Sequence, residues 1–167
     1  MQLYVLAHPE RVLSLVLMDT MASPSLKFPM ELIDKLTVIA RERGMQALIP
    51  KMIETARSMA VVPPREVILT NQATKLASMD PEAYGALAHS LAEFGSVLDR
   101  LSEVTCPSTV LVGELDQPFR EPSVVMSGAI PGSRLVVIAG AGHCPQKDQL
   151  EVWLGEVEQH LVWAAEP

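Results

Sequence analysis

Two apolar runs, each ending in a polar residue at a glycine-rich turn, constrain this chain more than any other feature. The first is Leu111-Val112-Gly113-Glu114-Leu115-Asp116, and the second runs from Arg134-Leu135-Val136-Val137-Ile138 through Ala139-Gly140-Ala141-Gly142-His143-Cys144-Pro145. Near-continuous Val, Ile and Leu runs are the pattern of strands buried on both faces, which belong to parallel sheets covered by helices. In such sheets ligands bind outside the carboxyl ends of the strands. The pattern therefore predicts that Asp116 and His143 leave two strands at the same edge. A third run, 12–18, ends at Asp19-Thr20 and predicts a third buried strand.

Around these strands the periodicity is helical. A short helix over 1–7 is stopped by Pro9, and Pro24 and Pro29 punctuate a loop after the first strand. From 31 to about 98 the chain reads as helices, with Leu32, Leu36 and Ile39 on one stripe and Met45, Leu48, Ile49, Met52, Ile53, Ala56 and Met59 on another. Pro50 kinks or splits the second stripe. Pro63-Pro64 separates it from a helix over 65–76, and Asp80-Pro81-Glu82 caps a fourth helix with Tyr84, Leu87 and Leu91 inward. Strands over 109–112 and 135–138 flank a helix over 123–129. A last helix over 149–163 offers Val152, Trp153, Val157, His160 and Leu161 to the sheet.

Length and composition narrow the function. The 167 residues suit one domain, and 49% hydrophobic content supports a core. A formal charge of -7, with no cluster of Lys and Arg, argues against nucleic acid. The run at 12–18 is far shorter than the ~20 residues of a membrane span and lacks the flanks of a signal peptide, so neither a membrane nor secretion is expected. The expected location is the cytoplasm. Cys106 and Cys144 do not make a disulfide framework; Cys106 reads as a small buried hydrophobe before Pro107. His8 reads as a helix end, and His89 and His160 lie on helices with no ligand spacing around them, so no metal is expected. No glycine-rich phosphate loop is present, and no cofactor is implied.

The ordered set of His8-Pro9-Glu10-Arg11-Val12 before a strand, Gly113-Glu114-Leu115-Asp116 after one and Gly140-Ala141-Gly142-His143 after another resembles the C-terminal half of an α/β-hydrolase of the esterase and enol-lactonase type. The resemblance runs from 1 to about 161 and is weakest in the middle. In that family the chain order is Ser, then Asp or Glu, then His, with the Ser on a G-x-S-x-G elbow. This sequence has no G-x-S-x-G, and its opening resembles the end of the helix that follows the elbow. The resemblance thus implies a truncated α/β-hydrolase remnant: a short parallel sheet of about three strands with flanking helices, formed by 1–25 and 99–167, and an inserted helical lid over 26–98.

Carried over residue by residue, the resemblance makes Asp116 the triad acid and His143 the general base, with Glu114 on the flank of the turn and Asp19 an alternative acid. The polar candidates for a substitute nucleophile or pocket residue are Ser23, Ser25, Ser123 and Cys144. Cys144 packs against substrate or takes the nucleophile's place, and water activated by His143 is a further route. The expected activity is hydrolysis of small carboxylic esters with an apolar acyl part, for which a Met- and Leu-lined lid suits a hydrophobic substrate; the same methionines also serve as gap-fillers between helices. Two alternatives stand beside it: an inactive binding or assembly module, and the C-terminal fragment of a split or truncated hydrolase. A homodimer through strand 12–18 or through apolar faces is expected, because that strand lacks its family partner and presents a free edge.

Overall fold

The computed structural model describes residues 1–23, 30–59 and 66–166. The loop around Pro24 and Pro29, and the Pro63-Pro64 break, lie outside them. The chain divides into two compact units, one formed by 1–25 with 96–167 and one by 26–95.

In the first unit, helix α1 (Gln2–Ala7) ends at His8, and Pro9–Arg11 makes a single 3-10 turn. Val12 closes that turn through its N–H to Pro9 O, and the strand begins three residues later than expected: β1 is Leu15–Met18 rather than 12–18. β2 (Ser108–Gly113) and β3 (Arg134–Ile138) complete a parallel sheet of order β1-β2-β3, in the register Leu17↔Val110 and Leu111↔Val136. Every residue of the central β2 is buried, as a strand covered on both faces requires. Leu111, Ile138 and Ala141 form a core cluster with Met18, Val136 and Trp153 around it.

The helix expected over 123–129 is longer: α6 is Gln117–Ala129, with Pro118 in its first turn and Pro122 inside it. Two prolines and a Gly-rich approach mimic a loop in sequence, but Pro is pre-organised for a first turn, where its missing N–H has no intrahelical role. Residues Leu98–Glu103 form a 3-10 segment that the sequence did not announce. After α7 (Pro145–Asp148), α8 (Leu150–Ala164) buries His160 and half-buries Trp153 and Val157. Val152 and Leu161, expected on the sheet side, are instead 51% and 57% exposed.

The second unit holds α2 (Met30–Arg43), a 3-10 turn (Met45–Leu48), α3 (Ile49–Met59), α4 (Glu66–Ala77) and α5 (Pro81–Ala92). Pro50 stands in the first turn of α3, so it splits the stripe rather than kinking it. On α2 the buried line is Ile33, Thr37 and Ala40, one residue on from the expected Leu32, Leu36 and Ile39. A period of 3.6 fits both lines, and the close contact decides: a Cβ on Gly85 of α5 would lie 2.7 Å from Thr37 Cγ2, while Thr37 Oγ1 is satisfied by Ile33 O at 2.9 Å. Ala40, Met45 and Leu48 form the core with Leu36, Ile39, Leu76 and Tyr84 around them. Asp80 caps α5 as expected, its carboxylate accepting from Glu82 N and Ala83 N at 2.9 and 3.0 Å. Leu87 and Leu91 do not face inward; each is 62% exposed.

Candidate active site at the carboxyl edge of the sheet

The ends of β2 and β3 are tied together by backbone. Glu114 N donates to Ile138 O at 2.9 Å and Leu115 N to Ala141 O at 2.8 Å. This closeness needs glycine at 113, where a Cβ would meet Gly142 O at 2.2 Å and Ala141 O at 2.5 Å. Glu114, on the flank of the turn, binds Gly140 N through Oε2 at 2.9 Å, and Gly140 has the positive φ of 68° that the turn demands. Gly142 N is held by Asp148 Oδ2 at 3.0 Å. The two loops are therefore fixed by hydrogen bonds and by the absence of side chains.

From these loops Asp116 and His143 meet, with Nδ1 of His143 2.9 Å from Oδ2 of Asp116. Asp116 stands at the N-cap position of α6, where its side chain makes no capping hydrogen bond, leaving the carboxylate to the histidine. The Asp116 side chain is 5% exposed and that of His143 56%. An ionised carboxylate can only accept, so Nδ1 carries a proton and Nε2 holds the lone pair of the neutral ring. Hydrogen bonding to Asp116 pushes the His143 pKa up, opposed by burial and assisted by the charges of Asp116 and Asp19. The Phe119 ring packs on the imidazole with centroids 4.7 Å apart, fixing its plane.

Asp19 joins them. It is 8% exposed, has the unusual φ of 42°, and accepts from Gly113 N through Oδ1 at 3.0 Å. Burial, followed by the charge of Asp116, pushes its pKa up to about 7 against the pull of the Gly113 hydrogen bond. One oxygen or nitrogen from each of Asp19, Asp116 and His143 lies within 4.8 Å of the others. Asp19, read from the sequence as an alternative acid, thus stands beside the pair at the end of a third strand.

The nucleophile candidates fare differently. Cys144 is half-buried beside His143, and its thiol pKa is raised, chiefly by burial, which disfavours the thiolate. Ser123 is fully buried in α6, with Oγ lacking a hydrogen-bond partner, so it is not presented at a surface. Ser23 is exposed, and Ser25 lies outside the described residues. Cys106 is half-buried rather than buried, 3.9 Å from Ser108 Oγ. His89 does have a carboxylate partner, Asp34 at 3.0 Å from the neighbouring helix.

Solved structures share this architecture. A thermophilic esterase from Thermogutta terrifontis, malate bound, is 25% identical with a TM-score of 0.83, over 99% of this chain and 61% of its own. The enol-lactonase from Burkholderia xenovorans LB400 is 19% identical with a TM-score of 0.75, over 96% of this chain and 60% of its own. MenH from S. aureus is 16% identical with a TM-score of 0.78, over 99% and 66%. The three-stranded parallel sheet with flanking helices has the α/β-hydrolase fold. The chain spans about three fifths of the length of these structures. No protein-family model and no curated protein matches the sequence. Among the described residues no helix is long and apolar enough to cross a membrane.

Proposed function

We propose that this chain is a hydrolase of small carboxylic esters, with His143 as general base and Asp116 as the acid that orients it. The carrying observation is the 2.9 Å contact from His143 Nδ1 to the buried Asp116 carboxylate, which leaves Nε2 as the basic nitrogen of a half-exposed ring. Nε2 removes the proton of an attacking hydroxyl as its oxygen bonds to the ester carbonyl carbon. The same proton then passes to the departing alkoxide, while Asp116 stays ionised and stabilises the imidazolium. The solved esterases and the enol-lactonase of the same fold support this class of reaction. The Met- and Leu-rich sequence of 26–98, which we read as a lid, supports an acyl part that is apolar. The cytoplasm is the location we propose with it.

The nucleophile is not a G-x-S-x-G serine of these 167 residues, which contain no such motif. Within them the route is water activated directly by His143, or Cys144 as a thiol nucleophile. A segment bearing the G-x-S-x-G elbow would supply a serine instead. The missing motif also favours a second reading, a binding module that keeps the pair without turnover. Hydrolysis of 4-nitrophenyl acetate and butyrate by the wild type, His143→Ala and Cys144→Ser separates these. The proposal predicts a rate above background that falls about 10²-fold or more in His143→Ala. Equal rates in wild type and His143→Ala would favour the binding module. Loss in Cys144→Ser alone would assign the nucleophile to the thiol.

A further inference from the structure

We propose that Asp19 is a positioning residue that bears a proton at neutral pH and donates it to the Asp116 carboxylate, so that one proton is shared among Asp19, Asp116 and His143. This deepens the reading of Asp116 and His143 as an acid and base pair, and rests on it.

The ladder between β1 and β2 ends at Asp19. Asp19 N donates to Leu111 O at 3.0 Å, as the next rung of the parallel sheet should. The following rung would take Gly113 N to the Asp19 carbonyl. With φ at 42° the Asp19 backbone turns away, and its side-chain Oδ1 accepts from Gly113 N instead, at 3.0 Å. The carboxyl is thereby clamped to the glycine whose lack of a Cβ lets the β2 and β3 loops close. Its other oxygen, Oδ2, is buried and has no hydrogen-bond donor directed at it.

An ionised carboxylate oxygen left in that position would be desolvated, unpaired and close to a second carboxylate. Two such groups sharing a site cannot both ionise cheaply, and burial acts in the same direction. Protonation removes all three penalties: the Asp19 carboxyl becomes a donor, and the Asp116 carboxylate, one atom of which lies within 4.8 Å of an atom of Asp19, is the acceptor that the proposal assigns to it. The titratable groups facing Asp19 are Asp116 after β2, and His143 and Cys144 after β3; Lys147 and Asp148 of α7 act on Cys144. Two arrangements of equal net charge follow. The proton sits on Asp19 beside a neutral imidazole, or on His143 as imidazolium beside an ionised Asp19. Only the first leaves His143 able to act as a base, so Asp19 sets how much of the ring is ready.

Asp19→Asn tests this with little structural cost. Asn tolerates a positive φ better than other non-glycine residues, its oxygen can still accept from Gly113 N, and its amide donates to Asp116 without titrating. The readouts are NMR titrations of the His143 ring and, in the wild type, of the Asp19 side-chain carboxyl carbon, both on the resting protein without ester. The proposal expects the wild-type Asp19 carboxyl to titrate near neutrality, and His143 to titrate at lower pH in Asp19→Asn than in the wild type. It is overturned if the Asp19 carboxyl titrates near the ordinary ~3.9 of an aspartate, or if the His143 midpoint is unmoved in a folded Asp19→Asn protein. If Asp19→Asn does not fold, the wild-type Asp19 titration decides alone. Absence of ester hydrolysis with both titrations as expected would remove the hydrolase reading and leave the shared proton standing.

Discussion

At the scale of single residues, Gly113 and Asp19 carry more of the site than their side chains suggest. A methyl group on residue 113 would meet two backbone carbonyls, at 2.2 and 2.5 Å, which cannot swing aside as a side chain could. Gly113→Ala should therefore cost about 1–3 kcal/mol. In a chain of this size that lowers the melting temperature by several degrees, about 2–4 °C per kcal/mol, as calorimetry would show. An unchanged melting temperature would mean that the two loops are not held as described. Asp19 predicts a stability that depends on pH. Its carboxyl pKa is about 7 in the folded state and 3.8 when unperturbed, so between those values the folded chain binds the proton more tightly. The contribution is complete below 3.8 and is lost as the pH rises to about 7. Asp19→Asn, which never ionises, should gain denaturation resistance relative to the wild type across that window, and a constant difference would contradict it. Asp116 and His143 were legible in the sequence because each ends an apolar run at a glycine turn. Asp19 was read there as the end of a third apolar run and an alternative acid; its clamp on Gly113 N was not legible, because a linear spacing does not show which backbone group a side chain will meet.

At the scale of elements, α8 is fastened to β2 by a buried polar contact, His160 Nδ1 with Thr109 Oγ1 at 2.8 Å. Nε2 of His160 has no partner, and the ring meets Trp163 edge-on, with Arg134 5.7 Å from the Trp163 ring centroid. Burial, and then the charge of Arg134, pushes the His160 pKa down, so the unfolded chain takes up a proton more readily than the folded one. Stability from this residue is therefore full above the ordinary ~6.5 of histidine and falls as the pH drops below it. Urea denaturation at pH 7.5 and 5.5 should show a larger loss in the wild type than in His160→Gln; equal losses would place the acid sensitivity elsewhere. The sequence announced α8 but not this role, since a histidine among Val, Leu and Trp looks like an interruption of an apolar face. Strong local signals read well: Asp80-Pro81 starts α5, and Pro9 ends α1. Weak ones did not. The buried line of α2 is offset by a single residue, and the prolines at 118 and 122 concealed the first half of α6. In both cases tertiary contact, and not local propensity, decides.

At the scale of the whole molecule, the sheet leaves β1 at one edge, with β2 as its one strand partner among the described residues. Its inward residues Leu15 and Leu17 are buried, and Leu13 just before it is 89% exposed. No Lys or Pro stands within β1 to discourage pairing, so a homodimer through this edge or the neighbouring apolar surface stays our proposal. Sedimentation at micromolar concentration should give a dimer, and a monodisperse monomer would contradict it. The central claim, that His143 held by Asp116 acts as a base on esters, is tested most directly by the pH dependence of kcat/KM for 4-nitrophenyl butyrate. Because Asp116 raises the His143 pKa above 6.5, the rate should be low in acid and rise along one sigmoid with its midpoint on the alkaline side of that value. The sigmoid should vanish in His143→Ala. A rate that only follows hydroxide concentration, and is the same in His143→Ala, would contradict the account.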